Sequence, residues 1–395
     1  MGSLDVSGLG RVQGVCVIKI VHLISSLQTG GTEMMLFKLL AAADRDEFQY
    51  SVISLTHGGA VTERITGLGI PVENLGMRPG SPSPLGMLRL YRILRREKPD
   101  VLQTWLYHSD LLGLIAGRLA RVPATTWNIR CSTTDDRYIT GLSGQVVRLL
   151  ARLSAKPDTI IVNSEAGRKI HEGLGYRPRR WDVIPNGFDL DRFRPDAKAR
   201  TEICNKLGIP SDVPVIGLMA RFDPLKDHAT FLRAAAKLLA STPDTHFVLV
   251  GAGVDGDNPE LTGVIDALGI SDSVHLLGER PDAAKITAAF DIATCSSTGE
   301  GFPNIIGEAM ACGVPVVTTD VGDARLIVGD TGIVVAVSNP DALAKGWQSV
   351  LDRKGDGIAE MGERARARIS ELYDINGIAE RYAAIYRGLT PQGAD

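Results

Sequence analysis

What constrains this chain most is a twofold alternation of short β-rich runs with segments of helical apolar spacing. Lys19–Ser25, Gln49–Leu55, Ile70–Asn74, Val101–Trp105, Ala124–Trp127 and Thr159–Asn163 form a first series, separated by segments such as Glu33–Ala43 and Asp110–Ala120. A second series follows at Val213–Met219, His246–Val250, Val274–Leu277, Phe290–Thr294, Val314–Thr318 and Gly332–Val335. Strand and helix in strict alternation predict a parallel sheet covered on both faces, because parallel neighbours need crossover connections. The chain thus predicts one α/β architecture used twice, with no repeat of 20–50 residues and no low-complexity tract beyond the polar Gly80–Pro84 loop.

Between the two series lies Val183-Ile-Pro-Asn-Gly-Phe-Asp-Leu-Asp-Arg-Phe-Arg-Pro195, a strand end followed by proline, Asn-Gly and a second proline, which reads as turn and linker. The domain boundary is placed there, giving residues 1–185 and 186–374, with helices from about Ser338 to Leu389 closing the chain. A chain of 395 residues, 44% hydrophobic and 23% charged, is long enough to bury two cores. Its five cysteines, Cys16, Cys131, Cys204, Cys295 and Cys312, are scattered and lack metal-ligand spacing, which predicts a reduced, cytoplasmic protein without a structural zinc site. Val15–Ile24 is short and broken by Lys19, so it predicts a first strand instead of a signal peptide or membrane span. The net charge of −3 hides an asymmetry. Residues 1–185 carry 23 basic against 16 acidic side chains, and residues 186–395 carry 20 against 30. A basic half and an acidic half predict different partners.

The most informative stretch is Cys295–Thr319, CSSTGEGFPNIIGEAMACGVPVVTT. It holds two acids, a glycine-proline loop and a helix start between two apolar strands. The helix is expected over Asn304–Cys312, stopped by Gly313. Glu300 then sits in a loop at the carboxyl end of a strand, where open α/β sheets bind ligands, and Glu308 in the first turns of the helix. The N–H groups of Asn304–Gly307 are free to hold a phosphate without any basic side chain. Earlier, Arg221 ends a strand and Lys226 precedes a helix beginning near His228, so both cations converge with a positive helix end on one point. Gly30 and Gly31 open a helix after the first strand, and His108 lies where the fourth strand meets a helix.

The spacing Glu300-x7-Glu308 within GEGFPN…EAMACGVPVV resembles the donor-site motif of retaining GT-B glycosyltransferases, in particular glycosyltransferase family 4. The Arg221-x4-Lys226 element, the Gly30-Gly31 loop and the Pro-Asn-Gly linker are similar to elements of the same family, so the resemblance covers the whole chain. It implies two Rossmann-like domains with parallel sheets facing across a cleft, and a last helix, about 375–390, crossing back onto the first domain. It implies transfer of a sugar from a UDP- or GDP-sugar to a hydroxyl of a glycan or lipid-linked acceptor in bacterial cell-surface polysaccharide biosynthesis, with retention and without a metal or other cofactor. On this resemblance Glu308 accepts hydrogen bonds from the ribose diol, Glu300 binds the transferred sugar, and Arg221 and Lys226 stabilise the leaving diphosphate. Gly30, Gly31, Gly301, Phe302, Pro303, Asn304 and Ile305 complete the nucleotide-sugar site. His108 faces the acceptor, as do Trp127, Asn128 and Arg130 at the next strand end. This chain departs from many relatives in carrying Asp227 where glycine follows the lysine.

Three other patterns compete with that picture. Gly251-Ala-Gly253-Val-Asp-Gly256 fits GxGxxG, which supports the alternative of an NAD-dependent oxidoreductase. Asp189-Leu-Asp191 mimics a metal-binding DxD but lies in the linker, where a turn explains it better, and Asp255-Gly-Asp257 starts a calcium loop that Pro259 breaks. A non-catalytic nucleotide-sugar binder is the third alternative. No nucleic-acid partner is expected. In Leu85–Glu97 helical geometry gathers Arg89, Arg92 and Arg96 on one side, flanked by Arg95, with Met87, Leu90, Tyr91 and Leu94 opposite. With the basic first half, that face suits peripheral contact with an anionic membrane.

Overall fold

The computed structural model describes residues 17–78, 83–130 and 141–390, so Cys16, Cys131 and most of the Gly80–Pro84 loop lie outside the described residues. Seven parallel strands, β1 (Ile18–Ile24), β2 (Phe48–Ser54), β3 (Val72–Asn74), β4 (Val101–Trp105), β5 (Ala124–Ile129), β6 (Thr159–Val162) and β7 (Trp181–Val183), form the first sheet in the order β3-β2-β1-β4-β5-β6-β7. Six more, β8 (Val215–Met219), β9 (His246–Val250), β10 (Val274–Leu276), β11 (Ile292–Cys295), β12 (Val316–Thr319) and β13 (Ile333–Val335), form the second in the order β10-β9-β8-β11-β12-β13. The short strand β7 is one more than the β-rich runs predict.

Strand alternation divides the apolar residues between two faces. On β1, Ile20 and Ile24 enter one core while Val21 and Leu23 enter the other. On β8, Ile216 and Leu218 pack on one side and Val215 on the opposite one. Both sheets are therefore sandwiched, and β4 and β5 are buried along their whole length.

The chain passes between the two sheets twice, and the crossings pair with each other. Phe188 N–H donates to the Tyr373 carbonyl at 2.8 Å, and Ile375 N–H donates to the Phe188 carbonyl at 3.0 Å. After the second crossing, the helix Ile375–Leu389 lies on the first sheet, burying Ile378, Tyr382 and Tyr386 in the core that holds Ile20 and Trp105. Each such side chain contributes about 1.5–3 kcal/mol. The Tyr386 hydroxyl donates to Gln103 Oε1 at 2.6 Å, and Arg387 pairs with Glu47 at 2.6 Å, so this helix is bound to the first sheet by polar contacts as well.

Candidate functional site

In each sheet the strand order reverses once, between β1 and β4 and between β8 and β11. Loops leaving adjacent strands to opposite faces open a crevice at that point. The loop-to-helix segments after β1 and β4 carry Gly30, Gly31 and His108; those after β8 and β11 carry Arg221, Lys226 and Glu300. The GxGxxG run follows β9, one strand away from the reversal, and serves local packing there: Gly251 N–H donates to the Gly278 carbonyl at 2.8 Å and Phe222 N–H to the Ala252 carbonyl at 2.8 Å. Asp189 and Asp255 each accept backbone N–H groups two residues ahead, from Asp191 and Asp257, both at 3.1 Å, which makes both acidic pairs turns.

The two loops of the second sheet are tied together before any ligand arrives. Thr298 N–H donates to the Leu225 carbonyl and Ser296 Oγ to the Lys226 carbonyl, each at 2.8 Å. Lys226 Nζ forms an ion pair with Glu300, whose Oε1 also accepts from Ser297 Oγ at 2.8 Å. Arg221 donates to Asp223 at 3.1 Å and keeps 63% of its side chain exposed. Behind them Gly322, at φ +52°, packs so closely that a Cβ would lie 2.4 Å from the Gly301 carbonyl oxygen, and Asp323 N–H donates to that oxygen at 3.0 Å. The acidic loop is therefore held from behind by backbone.

Two helix starts face this corner, and they differ. The helix His228–Leu239 is capped by Asp227, whose carboxylate accepts from Thr230 N–H at 3.1 Å. Asp227 adopts φ 48°, the left-handed conformation that a glycine would supply at the same place, and it adds the cap. Asp227 thus places a carboxylate at the positive end of the helix on which Arg221 and Lys226 are expected to converge. The helix Asn304–Ala311 has no side-chain cap, and while the Ile306 N–H donates to the Pro303 carbonyl at 3.2 Å, the N–H groups of Asn304 and Ile305 remain available to an anion. Phe302 is a correction of another kind. Its ring is buried and stacks on Phe188 at 6.2 Å, anchoring the loop in the core, so only its backbone can face a ligand. Gly307 lets the helix lie directly on Phe188, since a Cβ there would sit 2.1 Å from that ring.

Glu308 follows on the same helix. Burial pushes its carboxyl above the usual carboxylate range, opposed by the Lys38 and Arg192 cations. Lys38, from the helix Gly31–Ala42, donates to the Gly187 carbonyl at 2.7 Å and stands 5.4 Å from the centre of the Phe188 ring. Burial lowers its ammonium, and Glu308 is the main group opposing that shift. Lys38 carries no sequence signal of its own, being the one lysine of a largely apolar helix.

On the first sheet, Gly31 faces Asn304, with a Cβ there 3.6 Å from Asn304 Nδ2. The Glu33 carboxylate folds back over Gly30, and burial raises it. His108 is half-buried in the first turn of the helix Tyr107–Ala120, where burial lowers its imidazole and keeps it neutral at pH 7. Leu106, just before it, holds φ 73° and ψ 155°, a conformation costing about 1–3 kcal/mol. Two of the acceptor trio are corrected by burial. Trp127 is wholly buried among Leu114, Val147 and Ile160, because β5 runs on to Ile129 and leaves Trp127 in mid-strand. Asn128 is buried and donates to the Tyr382 hydroxyl at 3.0 Å. Arg130 donates to the same hydroxyl at 3.1 Å and to Asn186, and lies over the Trp105 ring. A further bridge joins the halves: the Asp323 carboxylate accepts from the N–H groups of Glu165 and Ala166, at 2.7 and 2.9 Å, at the start of the helix Glu165–Gly173.

Comparison with known proteins agrees with the two-sheet fold. Residues 29–192 match the profile described as Glycosyltransferase Family 4, and residues 213–353 match that described as Glycosyl transferases group 1. A D-inositol 3-phosphate glycosyltransferase of Corynebacterium urealyticum is 32% identical over 243 residues, which span 59% of this chain and 57% of that protein. The UDP-Gal:alpha-D-GlcNAc-diphosphoundecaprenol alpha-1,3-galactosyltransferase of Escherichia coli is 27% identical over 76% of this chain and 78% of its own length. Among solved structures, Anabaena HepE in complex with UDP superposes with a TM-score of 0.82 at 25% identity, covering 93% of this chain and 99% of that one.

Proposed function

The chain belongs to the GT-B glycosyltransferases of group 1 and family 4, and from that premise we propose that it moves a sugar from a nucleotide diphosphate sugar to an acceptor hydroxyl with retention of configuration. One observation carries the reading. The Lys226–Glu300 pair lies at the strand reversal of the second sheet, beside an uncapped helix start, with the Gly30–Gly31 loop facing Asn304 from the first. A UDP-sugar is the first candidate donor, because HepE binds UDP and UDP-glucose and the E. coli relative is named for UDP-Gal; a GDP-sugar is the second. Glu308 takes the ribose diol, since a carboxylate accepts two O–H donors side by side. Glu300, positioned by Lys226 and Ser297, takes hydroxyls of the transferred sugar. Arg221, Lys226 and the start of the Asn304–Ala311 helix stabilise the departing diphosphate. The acceptor hydroxyl attacks from the face the diphosphate leaves, with His108 on the acceptor side. Calorimetry with UDP, GDP, NAD and the matching sugars, then NMR of the anomeric proton in the product, tests the reading; NAD binding without nucleotide-sugar binding, or an inverted product, refutes it.

Transfer survives chelation in this scheme, because protein cations and a helix end supply the positive charge. Assay in excess EDTA checks it: activity abolished and then restored by Mg²⁺ or Mn²⁺ counts against the scheme.

The acceptor we propose is a glycan or lipid-linked oligosaccharide of cell-surface polysaccharide assembly, presented at an anionic membrane. No helix among the described residues is long and apolar enough to cross a membrane, so the contact is peripheral. On the helix Pro84–Glu97 the outer face presents Leu85, 79% exposed, and Leu88 beside Arg89, Arg92 and Arg95. Arg96 is paired with Glu73 and Glu97, so the free basic set is shifted by one residue from the expected one. Each basic side chain near anionic headgroups contributes about 1 kcal/mol. Vesicles with anionic lipid should sediment the protein at low salt and release it at high salt. Binding unaffected by reversing Arg89, Arg92 and Arg95 to glutamate removes this helix from the contact.

A further inference from the structure

Arg130, Asn186 and Asn304 form one hydrogen-bonded line across the junction of the two sheets. Arg130 immediately follows β5 and donates to Asn186 Oδ1; Asn186 lies in the first crossing, 4% exposed, and its Nδ2 donates to Asn304 Oδ1 at 2.6 Å. Asn304 is the first residue of the uncapped helix, and its own Nδ2 is the atom on the Gly31 side of the cleft. Among the described residues no protein group accepts from that Nδ2.

The polarity of this line is decided by its first member. A guanidinium has donors only, whereas a carboxamide has a donor end and an acceptor end that differ little in shape. Next to Arg130, Asn186 must present its oxygen, which turns its nitrogen to Asn304. Asn304 must then present oxygen to Asn186, which leaves its N–H pair toward the cleft. Reversing either amide sets two oxygens or two N–H groups against each other within 2.6 Å. At Asn186, only 4% exposed, such a mismatch is costly because a buried amide left without a matching partner loses its hydrogen bond.

Building on the donor reading above, we propose that Asn186, polarised by Arg130, is a positioning residue that keeps the Asn304 carboxamide donor-outward, so that the first turn of the Asn304–Ala311 helix offers a side-chain N–H as well as backbone N–H groups to a diphosphate oxygen. With the amide reversed, a carbonyl oxygen would face the phosphate and repel it.

Asn186→Asp tests the inference, because a carboxylate is nearly isosteric, still accepts from Arg130, and cannot donate to Asn304. Calorimetry on the full chain compares UDP with uridine, which shares base and ribose but has no phosphate. The expected result is a Kd for UDP raised about 10- to 100-fold, the size of a charge-assisted hydrogen bond turned unfavourable, with the Kd for uridine within about twofold of wild type. Arg130→Met provides a second variant should Asn186→Asp fail to fold. It removes the polarising donor, and a selective loss for UDP of about 3- to 10-fold is expected. Unchanged UDP affinity overturns the proposal. Equal losses for UDP and uridine also overturn it, since they mark a general disturbance of the junction. Wild-type protein that binds neither compound refutes the donor reading and the relay with it, whereas normal wild-type binding with an unaltered UDP-to-uridine ratio in both variants refutes the relay alone.

Discussion

Lys226→Ala should lower kcat for sugar transfer by about 10²- to 10³-fold, the loss seen when one preorganised electrostatic group is removed from a site where charge develops. Two effects combine in this residue. Its ammonium pairs with Glu300, and its side chain is only 23% exposed, so the pair is weakly screened by solvent. Without it the Glu300 carboxylate, 15% exposed, keeps only Ser297 as a partner among the described residues and loses its fixed position against the transferred sugar. Arg221→Ala should act in the same direction through the leaving diphosphate. Its greater exposure and its bond to Asp223 leave more room for solvent to compensate. The signature is a fall in kcat with an unchanged circular-dichroism spectrum and melting temperature. A Lys226→Ala enzyme turning over near the wild-type rate would remove the lysine from the mechanism.

The parts of this site that were legible in the sequence are those carried by one loop at one strand end. Glu300, Lys226, Gly31 and Asn304 follow apolar runs, and the reversal of strand order then brings their loops together. Contacts made across the junction left no local trace. Asn186 meets Asn304 across 118 residues, and Asp323 meets Glu165 across 158. Lys38 looked like any helix lysine until Gly187 and Glu308 appeared beside it. The misplacement of Trp127 has a simple origin. Ending β5 at Trp127 puts the indole at the sheet edge, but the strand runs to Ile129, and each residue of a doubly covered strand is buried. Phe302 misled for a related reason: an aromatic in a glycine-rich loop suggests a ligand face, yet here it anchors the loop in the core formed with Phe188 and Tyr373.

Glu308→Ala should raise the Kd for the nucleotide about 10- to 100-fold while leaving kcat comparatively unaffected. Two charge-assisted hydrogen bonds from a diol contribute about 1–3 kcal/mol net, and 1.4 kcal/mol is tenfold. Glu300→Ala should show the reverse pattern, since its partners place it on the transferred sugar. Protonation separates the assignment of Glu308 from a merely structural one. Only the carboxylate accepts both ribose hydroxyls, so a proton on Glu308 competes with the nucleotide. Burial holds this carboxyl above its ordinary range despite Lys38 and Arg192. Affinity should therefore be level above that raised pKa and fall as pH drops through it, tenfold per pH unit at the limit, starting at a higher pH than an ordinary glutamate would impose. Uridine is the suitable ligand, because it carries no phosphate to titrate in that range. Glu308→Gln should bind uridine more weakly than wild type at neutral pH and with little pH dependence. A wild-type profile that stays flat into the acid range, or an alanine variant of unchanged affinity, takes Glu308 off the ribose.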